Sequence, residues 1–433
     1  MNVKDLYSIF QFHFNIITDS RKEIKNSIFF ALKGEKFNGN EFAEVAINQG
    51  CSYAIIDEKK YQKDLRFILV DNVLETLQVL AKYHRSQLNI PVIGITGTNG
   101  KTTTKEFIKS ILCKKYNTLA TSGNLNNHIG VPLTLLSITK ETEIAIIEMG
   151  ANHIGEITEL CEIAQPNFGI ITNIGKAHLE GFGSIEGIIE TKKALYDYLE
   201  NHSGVAFVNY KDETLKELSK NIPQITYGCA QHADFNGNLI ESNPFLTIEW
   251  DIGNAKTLSN RIQTKIIGDY NFDNIMASIA IGSFFNVPVD DIKNALESFE
   301  PSGNRSQLIN TSTNVVILDA YNANPTSMNA SIINFSRMDY KEKVAIIGDM
   351  FELGKESSTE HQIVLDLLKD QSFNQVILVG NTFSLLTKDP SAFICFKDVE
   401  EAYQYLKENP IKNSSVLIKG SRGVRLEKIV ELL

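Results

Sequence analysis

Residues 90–106, IPVIGITGTNGKTTTKE, constrain the fold more than any other segment of the chain. An apolar run leads into a turn with two glycines, a lysine and three threonines, a pattern that predicts a buried strand, a loop and a helix. Gly97 and Gly100 let backbone N–H groups approach a phosphate closely. Lys101 can reach the outer phosphates, and the Thr102 hydroxyl can bind Mg²⁺. The segment therefore predicts a nucleotide-binding loop; the alternative is a simple glycine turn between a strand and a helix.

The loop departs from the general phosphate-loop pattern at one position. That pattern places a glycine where this chain has Ile95, so the loop reads TGTNGKTT, with a shorter glycine spacing than in most GTPases and kinases. The lysine, the threonine and the preceding apolar run keep their order, and the prediction of a nucleotide site stands on them.

Length and composition limit the class of protein. A chain of 433 residues exceeds what one hydrophobic core usually supports, so we expect about two or three domains. A hydrophobic content of 43% with 22% charged residues is typical of soluble globular proteins. The N-terminal residues do not resemble a signal peptide and no apolar run has the length of a membrane span, so we expect a cytoplasmic protein.

Charge and cysteine spacing exclude other classes. The net charge is −10 and no basic tract offsets it, which argues against binding to nucleic acid. Five scattered cysteines without metal-ligand spacing argue against a disulfide framework and a zinc site.

Proline and glycine positions predict two joints, at residues 88–91 and 300–304. They divide the chain into domains at 1–88, 89–303 and 304–433. The first segment mixes helices with short predicted strands, at Ser27–Leu32 and Tyr53–Ile56. The second alternates helices with predicted strands, at Glu143–Ile147, Phe168–Thr172 and Val205–Asn209. This alternation predicts a parallel sheet covered on both faces, with a strand-rich antiparallel part over 228–267. The last has short apolar strands typical of a doubly wound sheet.

Three residues beyond the loop are candidate magnesium ligands. Glu148 ends the apolar run EIAIIE, at the strand end where ligands of α/β sheets usually bind. His178 follows the run FGIITN, and Lys192 lies on the next predicted helix. For each, a purely structural role is the alternative, because a single histidine is more often structural and a helical lysine is usually solvated.

Several strings together resemble the Mur ligases, over nearly the whole chain. They are TDSR at 18–21, GITGTNGKTTTKE, GNLNNHIGVPLTLL, IEMGANHIGEI, AHLEGFGS, LDAYNANPTSM, IGDMFELG and IKGSRG. NLNNHIG, EMGANH and YNANP resemble the motifs of one branch of the family, the branch that adds D-alanyl-D-alanine. The resemblance implies an α/β fold of three domains: a small α/β UDP-substrate domain, a central phosphate-loop ATPase domain and a C-terminal Rossmann-like domain.

The resemblance also implies a reaction. ATP would phosphorylate the terminal carboxylate of UDP-N-acetylmuramoyl-tripeptide, and the amine of D-alanyl-D-alanine would attack the resulting acyl phosphate. The expected cofactors are ATP and two Mg²⁺ ions, and a monomer is expected. The runner-up is the folylpolyglutamate synthase relative, which would lack the TDSR domain. A nucleotide-dependent switch protein is a further alternative, against which the absence of an NKxD-type motif counts.

Site residues follow from the resemblance, position by position. Lys101, Glu148, His178 and Lys192 are implied as catalytic, with Thr102 and Glu148 on the first Mg²⁺, His178 on the second, and Lys192 carbamylated as a further metal ligand. The residues implied to bind ATP are Gly97, Thr98, Asn99, Gly100, Lys101, Thr102, Thr103, Asn271, Asn274, Arg305 and Asp319. The residues implied to bind the other substrates are Thr18, Asp19, Ser20, Arg21, Lys33, Gly34, Asn38, Asn124, Asn126, Asn127, Tyr321, Asn322, Asn324, Lys419, Ser421 and Arg422. The chain departs from the family pattern at Ile95, Asn40, Ala194 and Tyr270, and its DAYNAN replaces the common DDSYNAN.

Overall fold

The computed structural model describes residues 2–21, 25–252, 260–387 and 392–433. Three main sheets follow one another along the chain, and helices alternate with most of their strands. Within these ranges no helix combines the length and the apolar character needed to cross a bilayer.

The N-terminal sheet has four parallel strands in the order β1-β2-β5-β6. A two-stranded hairpin, β3 and β4, lies beside it. The elements are α1 Val3–Phe12, β1 Asn15–Ile17, β2 Ser27–Phe30, β3 Lys33–Gly34, β4 Phe37–Asn38, α2 Ala43–Asn48, β5 Tyr53–Ile56, β6 Phe67–Leu69 and α3 Val73–Ser86.

The central sheet has nine strands and carries the phosphate loop after its first strand. Its elements are β7 Val92–Thr96, α4 Lys101–Leu112, β8 Thr118–Ala120, α5 Gly130–Leu136, β9 Ile144–Glu148, α6 Glu156–Ala164, β10 Phe168–Ile171, α7 Leu179–Phe182, α8 Ile185–Asn201, β11 Val205–Asn209, α9 Glu213–Leu218, β12 Gln224–Gly228, β13 Phe235–Ser242, β14 Phe245–Ile252, β15 Asn260–Ile267, α10 Phe272–Phe284 and α11 Val289–Glu297. The strand order is β15-β14-β13-β12-β11-β10-β7-β9-β8. Strands β7 to β13 pair in parallel, whereas β13, β14 and β15 pair antiparallel at one edge.

The C-terminal sheet has six strands in the order β16-β17-β21-β18-β19-β20. Its elements are β16 Gln307–Asn310, β17 Val315–Asp319, α12 Pro325–Arg337, β18 Lys343–Gly348, α13 Ser357–Lys369, β19 Gln375–Val379, α14 Asn381–Leu386, β20 Ile394–Phe396, α15 Val399–Glu408 and β21 Ser415–Lys419. Only the edge strand β16 pairs antiparallel among the described strands of this sheet, and the rest is a parallel sheet between helices.

The α/β class and the antiparallel part predicted over 228–267 are confirmed, because β13, β14 and β15 occupy that region. The parallel sheet predicted for the central segment is a mixed sheet, since these three strands continue it at one edge. The strand predicted over Ser27–Leu32 ends at Phe30, because the chain turns into the hairpin after it.

The first segment shares part of its hydrophobic core with the central segment. Leu77 and Leu80 of α3 belong to the same hydrophobic cluster as Leu135 of α5 and Leu160 of α6. Helix α3 therefore joins the N-terminal sheet to one face of the central sheet through shared apolar packing. The domain limits 1–88, 89–303 and 304–433 stay predictions.

Candidate active site

The phosphate loop connects β7 to α4 and has the backbone that its glycines predict. Gly97 has φ +141° and Gly100, which precedes the first residue of α4, has φ +79°. A side chain at Gly97 would place its Cβ only 2.0 Å from Thr172 Oγ1. Both positions therefore require glycine, and the loop leaves the N-terminus of α4 open to an anion.

Two residues after β10 hold the loop, and the sequence did not point to either. Thr172 Oγ1 donates to the Asn99 carbonyl oxygen at 2.6 Å, and Asn173 Nδ2 donates to the same oxygen at 3.0 Å. Asn99 N donates to Asn173 Oδ1 at 3.0 Å. The available signal was topological: β10 is the parallel neighbour of β7, so residues at its carboxyl end meet the loop.

Lys101 lies folded over the loop that precedes it. Its Nζ donates to the carbonyl oxygens of Gly97 at 2.7 Å and Thr98 at 3.0 Å. Burial lowers the pKa of Lys101, Glu148 partly offsets this shift, and the charge of Arg305 adds to it. Among the described residues the ammonium has only neutral carbonyl oxygens as hydrogen-bond partners, and phosphate oxygens are stronger acceptors.

Glu148, the last residue of β9, is buried at 1% exposure and suits a hard cation. Its Oε1 accepts hydrogen bonds from Thr102 Oγ1 at 3.1 Å and from Asn126 Nδ2 at 2.8 Å. Its Oε2 is buried without a hydrogen-bond partner among the described residues. A buried carboxylate oxygen with free lone pairs beside a threonine hydroxyl is the donor set that Mg²⁺ prefers.

A buried cation, which the sequence did not single out, lies behind Glu148. Lys105 of α4 is fully buried, its Nζ donates to the Thr121 carbonyl oxygen at 2.6 Å, and it lies 3.7 Å from Glu148 Oε2. The two opposite charges therefore lie close together in a buried setting.

His178 and Lys192 are the other two residues predicted as catalytic. His178 precedes α7, and its Nδ1 lies 2.5 Å from Glu352 Oε2 of the C-terminal segment. Lys192 of α8 is 2% exposed, and its ammonium faces the Phe182 ring, 5.3 Å from the ring centroid. Burial lowers the pKa of Lys192 to about 7, and the charge of Lys101 adds to the shift.

The C-terminal segment brings an arginine and an acid to the loop. The Arg305 guanidinium stacks on the Tyr321 ring at 3.5 Å. Burial lowers the pKa of Arg305. Asp319 accepts a hydrogen bond from Lys419 Nζ at 2.6 Å, so the opposite charges of the two side chains offset each other. Asn324 Nδ2 donates to Asn99 Oδ1 of the phosphate loop at 2.7 Å, which ties the two segments together.

Most of the predicted site residues line one cleft of about 510 Å³ between the central and C-terminal sheets. They are Thr98, Asn99, Gly100, Lys101, Thr102, Thr103, Asn124, Asn126, Asn127, Glu148, His178, Asn271, Asn274, Arg305, Asp319, Tyr321, Asn322, Asn324 and Lys419. Residues lining the cleft that the sequence did not assign include Asn152, Glu156, Asn173, Thr326 and Ser331. Lys192 is buried and is not among the residues that line either cleft.

A second cleft of about 420 Å³ adjoins the first, and Thr102, Asn271, Arg305 and Tyr321 line both. Arg422 lines only this second cleft. Asn274 accepts from Thr104 Oγ1 at 3.0 Å and donates to Asn271 Oδ1 at 2.9 Å, so this buried pair fixes α10 against α4.

Three predicted substrate residues have structural contacts. Asn126 bonds to Glu148, as above. Asn127 Oδ1 accepts from the backbone N–H of Gly130 at 2.9 Å, at the start of α5. Ser421 is buried, and its Oγ accepts from Phe351 N at 3.0 Å.

The predicted UDP-substrate residues lie in the loop after β1 and on the hairpin of β3 and β4, outside both clefts. Arg21 Nε donates to Asp19 Oδ1 at 2.9 Å, and Lys33 Nζ lies 2.8 Å from Asp57 Oδ1. Asn38 Nδ2 donates to Glu58 Oε1 at 2.9 Å. The remaining members of the set are Thr18, Ser20 and Gly34.

The positions that depart from the family pattern have apolar or buried surroundings. Ile95 is a core residue of β7, and Ala194 packs against the shared core. Asn40 is fully buried and donates to Asp57 Oδ1 at 2.8 Å. The Tyr270 hydroxyl lies 3.0 Å from Ser306 Oγ, between the central and C-terminal segments.

Comparison with known proteins decides the family. Residues 95–282 match the Mur ligase middle domain, and residues 304–422 match the domain described as Mur ligase, glutamate ligase domain. A UDP-N-acetylmuramoyl-tripeptide–D-alanyl-D-alanine ligase of Bacillus subtilis is 35% identical over 429 residues, which cover 96% of this chain and 92% of that protein. The chain belongs to the Mur ligase family.

Two solved Mur ligases share its architecture along the whole length. MurF from Acinetobacter baumannii has a TM-score of 0.85 at 31% identity and covers 96% of this chain and 92% of its own. MurF ligase from Thermotoga maritima, solved in complex with ADP, has a TM-score of 0.85 at 27% identity and covers 96% of each chain. This Mur ligase therefore has the three-domain family fold, and the alternative of a nucleotide-dependent switch protein is excluded.

Proposed function

We propose that this Mur ligase uses ATP to join D-alanyl-D-alanine to UDP-N-acetylmuramoyl-tripeptide, forming UDP-N-acetylmuramoyl-pentapeptide in the cytoplasmic stage of peptidoglycan synthesis. One observation carries the proposal: a single cleft is lined by the phosphate loop, the buried Glu148 and four C-terminal residues, Asp319, Tyr321, Asn322 and Asn324. The chain is similar over 96% of its length to a ligase of that name. The relatives named for this activity also favour it over folylpolyglutamate synthesis.

The chemistry needs an activated carboxylate, because a free carboxylate is a poor acyl acceptor. A carboxylate oxygen of the tripeptide takes the γ-phosphoryl group of ATP, and ADP leaves. The dipeptide amine then attacks the acyl carbon, loses a proton, and the C–O bond to phosphate breaks. The enzyme mainly has to hold three anionic reactants in line and neutralise their repulsion.

Lys101 and Arg305 are the cations suited to that neutralisation. Lys101 exchanges the carbonyl oxygens of Gly97 and Thr98 for phosphate oxygens, a gain in bond strength that requires no large movement. Arg305, held flat against Tyr321, offers its planar fork to a phosphate from the C-terminal side. The two cations therefore approach the nucleotide from two different domains.

Two Mg²⁺ sites belong to the proposal. Thr102 and Glu148 suit the first ion, and His178 with a carbamylated Lys192 suits the second. Bound Mg²⁺ supplies charge neutralisation at the transferring phosphoryl group. With a pKa of about 7, Lys192 provides a neutral amine near neutral pH, whose nitrogen adds to CO₂ and releases a proton. The product is an oxygen donor where an ammonium would repel a cation.

The N-terminal domain is the proposed UDP-substrate domain, with Thr18, Asp19, Ser20, Arg21, Lys33, Gly34 and Asn38 as its ligand-binding residues. The Arg21 side chain is exposed, and Asp19 holds one edge of its guanidinium group. The other N–H groups face solvent and can donate to an anionic ligand. A monomeric state and a cytoplasmic location remain predictions.

The proposed function is tested by the dependence of phosphate release on substrates. Release of phosphate from ATP should require both UDP-N-acetylmuramoyl-tripeptide and D-alanyl-D-alanine, and mass spectrometry should detect the joined pentapeptide product. Tripeptides with lysine or diaminopimelate as the third residue are assayed in parallel, which also defines the natural substrate. Phosphate release that is unchanged when the dipeptide is omitted, without a ligated product, contradicts the proposal.

A further inference from the structure

A histidine of the central domain meets a glutamate of the C-terminal domain beside the cleft. His178 lies just before α7, and Glu352 lies in the loop after β18. Their Nδ1 and Oε2 atoms are 2.5 Å apart. The same loop makes a second contact with this region, since Glu180 N donates to the Glu352 carbonyl oxygen at 3.3 Å.

The loop that carries Glu352 is fixed by the C-terminal domain before it reaches the histidine. Met350 N donates to the buried His361 Nε2 at 3.0 Å, and Phe351 N donates to Ser421 Oγ at 3.0 Å. Backbone groups bonded to buried side chains hold a loop in one conformation. Glu352 is therefore presented by a rigid support, and its position relative to His178 is set by docking of the two domains.

Both residues have backbone conformations that side chains disfavour. His178 has φ +50° and Glu352 has φ +63°, in the left-handed region. Gly354 has φ +52°, and a Cβ added at this position would lie 3.3 Å from Glu180 Cβ. Left-handed conformations of residues other than glycine persist where the surroundings hold them, and they cluster at functional sites.

The chemistry of a metal-binding histidine gives this contact a purpose. A histidine that binds a cation through one ring nitrogen usually donates the N–H of the other to a carboxylate, which fixes the tautomer and the ring orientation. His178 Nδ1 lies beside Glu352 Oε2 but makes no aligned hydrogen bond among the described residues. When the ring turns so that Nδ1–H donates to Glu352, the lone pair is on Nε2 and is available to a cation.

We propose that Glu352 is a positioning residue, through which docking of the C-terminal domain orients His178 as a ligand of the second metal ion. The inference rests on the proposed role of His178. It deepens that role, because it makes a complete metal site conditional on the docked domain. An ordinary interdomain ion pair is the competing explanation, and at 52% exposure of the Glu352 side chain such a pair contributes little by itself.

A neighbouring ion pair provides a matched control. Lys176 Nζ lies 2.7 Å from Glu360 Oε1 and joins the same two segments. Lys176 has no proposed role toward a metal ion. Glu360→Ala therefore removes an interdomain carboxylate without touching His178, whereas Glu352→Ala removes the one that contacts the imidazole.

The first measurement reads the tautomer of His178 without turnover. Full-length protein with ¹⁵N-labelled histidine rings gives eight ring systems in long-range ¹H–¹⁵N spectra, and His178→Gln identifies the signal. We expect the Nδ1–H tautomer in the wild type and in Glu360→Ala. Glu352→Ala should lose that preference, and Glu352→Gln, which keeps an acceptor oxygen, should retain part of it.

The second measurement is the Mg²⁺ concentration that gives half-maximal phosphate release. Glu352→Ala should raise it roughly tenfold or more, the usual cost of losing a carboxylate behind a metal-bound histidine. Glu352→Gln should raise it less, and Glu360→Ala, which removes a docking contact without touching the imidazole, should raise it clearly less than Glu352→Ala. An unchanged tautomer in Glu352→Ala, or equal Mg²⁺ effects in Glu352→Ala and Glu360→Ala, overturns the inference. The tautomer measurement does not depend on turnover. If the ligase assay fails, it still tests the positioning role of Glu352, so that role and the proposed function are tested independently.

Discussion

Charged side chains in the cleft are buried with incomplete pairing, which is the property that suits them to a charged ligand. Within the described part of the chain, Lys101 Nζ donates only to carbonyl oxygens, and one oxygen of Glu148 has no hydrogen-bond partner. Across the described ranges, no carboxylate forms an ion pair with the Lys192 ammonium, which faces an aromatic ring. Burying such groups is unfavourable, and an anionic nucleotide with its cations would satisfy them.

Lys101→Ala should remove most turnover while leaving the fold intact. The ammonium acts on charge that develops during phosphoryl transfer, so its loss should lower kcat/KM by at least about a hundredfold, or roughly 3 kcal/mol of barrier. Steady-state kinetics measure the loss, and circular dichroism checks the fold. Lys109→Ala, on the exposed face of the same helix, is the control. Wild-type turnover in a folded Lys101→Ala protein would exclude the phosphate-loop assignment.

Lys192→Ala tests the carbamate. The variant should be nearly inactive, and a short carboxylate such as acetate should restore part of the activity, because it can occupy the position of the lost carbamate oxygens. Bicarbonate should activate CO₂-depleted wild-type protein and not the variant. A free ammonium in a crystal structure with nucleotide and Mg²⁺ bound, together with absence of rescue, would reject carbamylation.

Elements were predictable where a single run of sequence determines them. The strands predicted over Tyr53–Ile56 and Val205–Asn209 have those bounds, because apolar β-branched runs between polar turns fit only buried parallel strands. The clamp made by Thr172 and Asn173 was not predictable in this way. Its partners are far apart in sequence, and only the strand order places them side by side.

The structure also explains which site residues the sequence assigned correctly in space and which it missed. Lys101 begins α4 and Glu148 ends β9, both at the carboxyl edge of one sheet. The α/β pattern therefore predicts that the two residues lie close together. Lys105 is one helical turn further along α4 and reads as a surface lysine, yet it is fully buried beside Glu148. Periodicity alone cannot identify a buried cation whose partner lies on another strand.

Helix α3 offers a pH-dependent test of the shared core. His84 is buried, its Nε2 lies 2.9 Å from the Ile138 carbonyl oxygen, and burial lowers its pKa below the ordinary 6.5. Below pH 6.5 the unfolded chain binds a proton that the folded protein resists, so acidification from that pH through the lowered pKa should reduce the free energy of unfolding. His84→Phe should therefore lose less stability than wild type between pH 7 and pH 5.

Urea unfolding at pH 7, 6 and 5 measures this difference. His84→Phe should be less stable than wild type at pH 7, where it lacks the hydrogen bonds, and the gap should narrow at pH 5. His202→Gln, at an exposed histidine, should follow the wild-type curve. Parallel curves for wild type and His84→Phe would show that His84 does not contribute to acid sensitivity.

At the scale of the whole molecule, the cleft exists because two domains face each other. Asn324 bonds to Asn99 of the phosphate loop, and Lys176 of the central domain forms an ion pair with Glu360 of the C-terminal domain. Interfaces of this kind between domains of one chain are usually mobile, and closure around substrates commonly completes an active site. No run of sequence predicts such contacts, since each side is an ordinary polar residue until the domains dock.

Lys176→Glu should weaken this docking. It places a carboxylate opposite the buried Glu360, and every 1.4 kcal/mol of repulsion shifts the ratio of docked to undocked protein about tenfold. Small-angle scattering should show a larger radius of gyration for the ligand-free variant than for wild type. An ATP analogue with UDP-tripeptide should restore the compact form, because ligands that contact both domains favour docking. The KM for ATP should rise roughly three- to tenfold, in line with an unfavourable closing equilibrium.

Lys140→Glu makes the same change of charge at an exposed lysine and should leave scattering and kinetics at wild-type values. The comparison separates docking from net charge, because both variants carry the same total charge. If Lys176→Glu has the wild-type radius of gyration without ligand, the Lys176 contact does not hold the domains together. If wild-type dimensions are also identical with and without the ATP analogue and UDP-tripeptide, the C-terminal domain does not close on its substrates, and Arg305 must already be in place before ATP arrives.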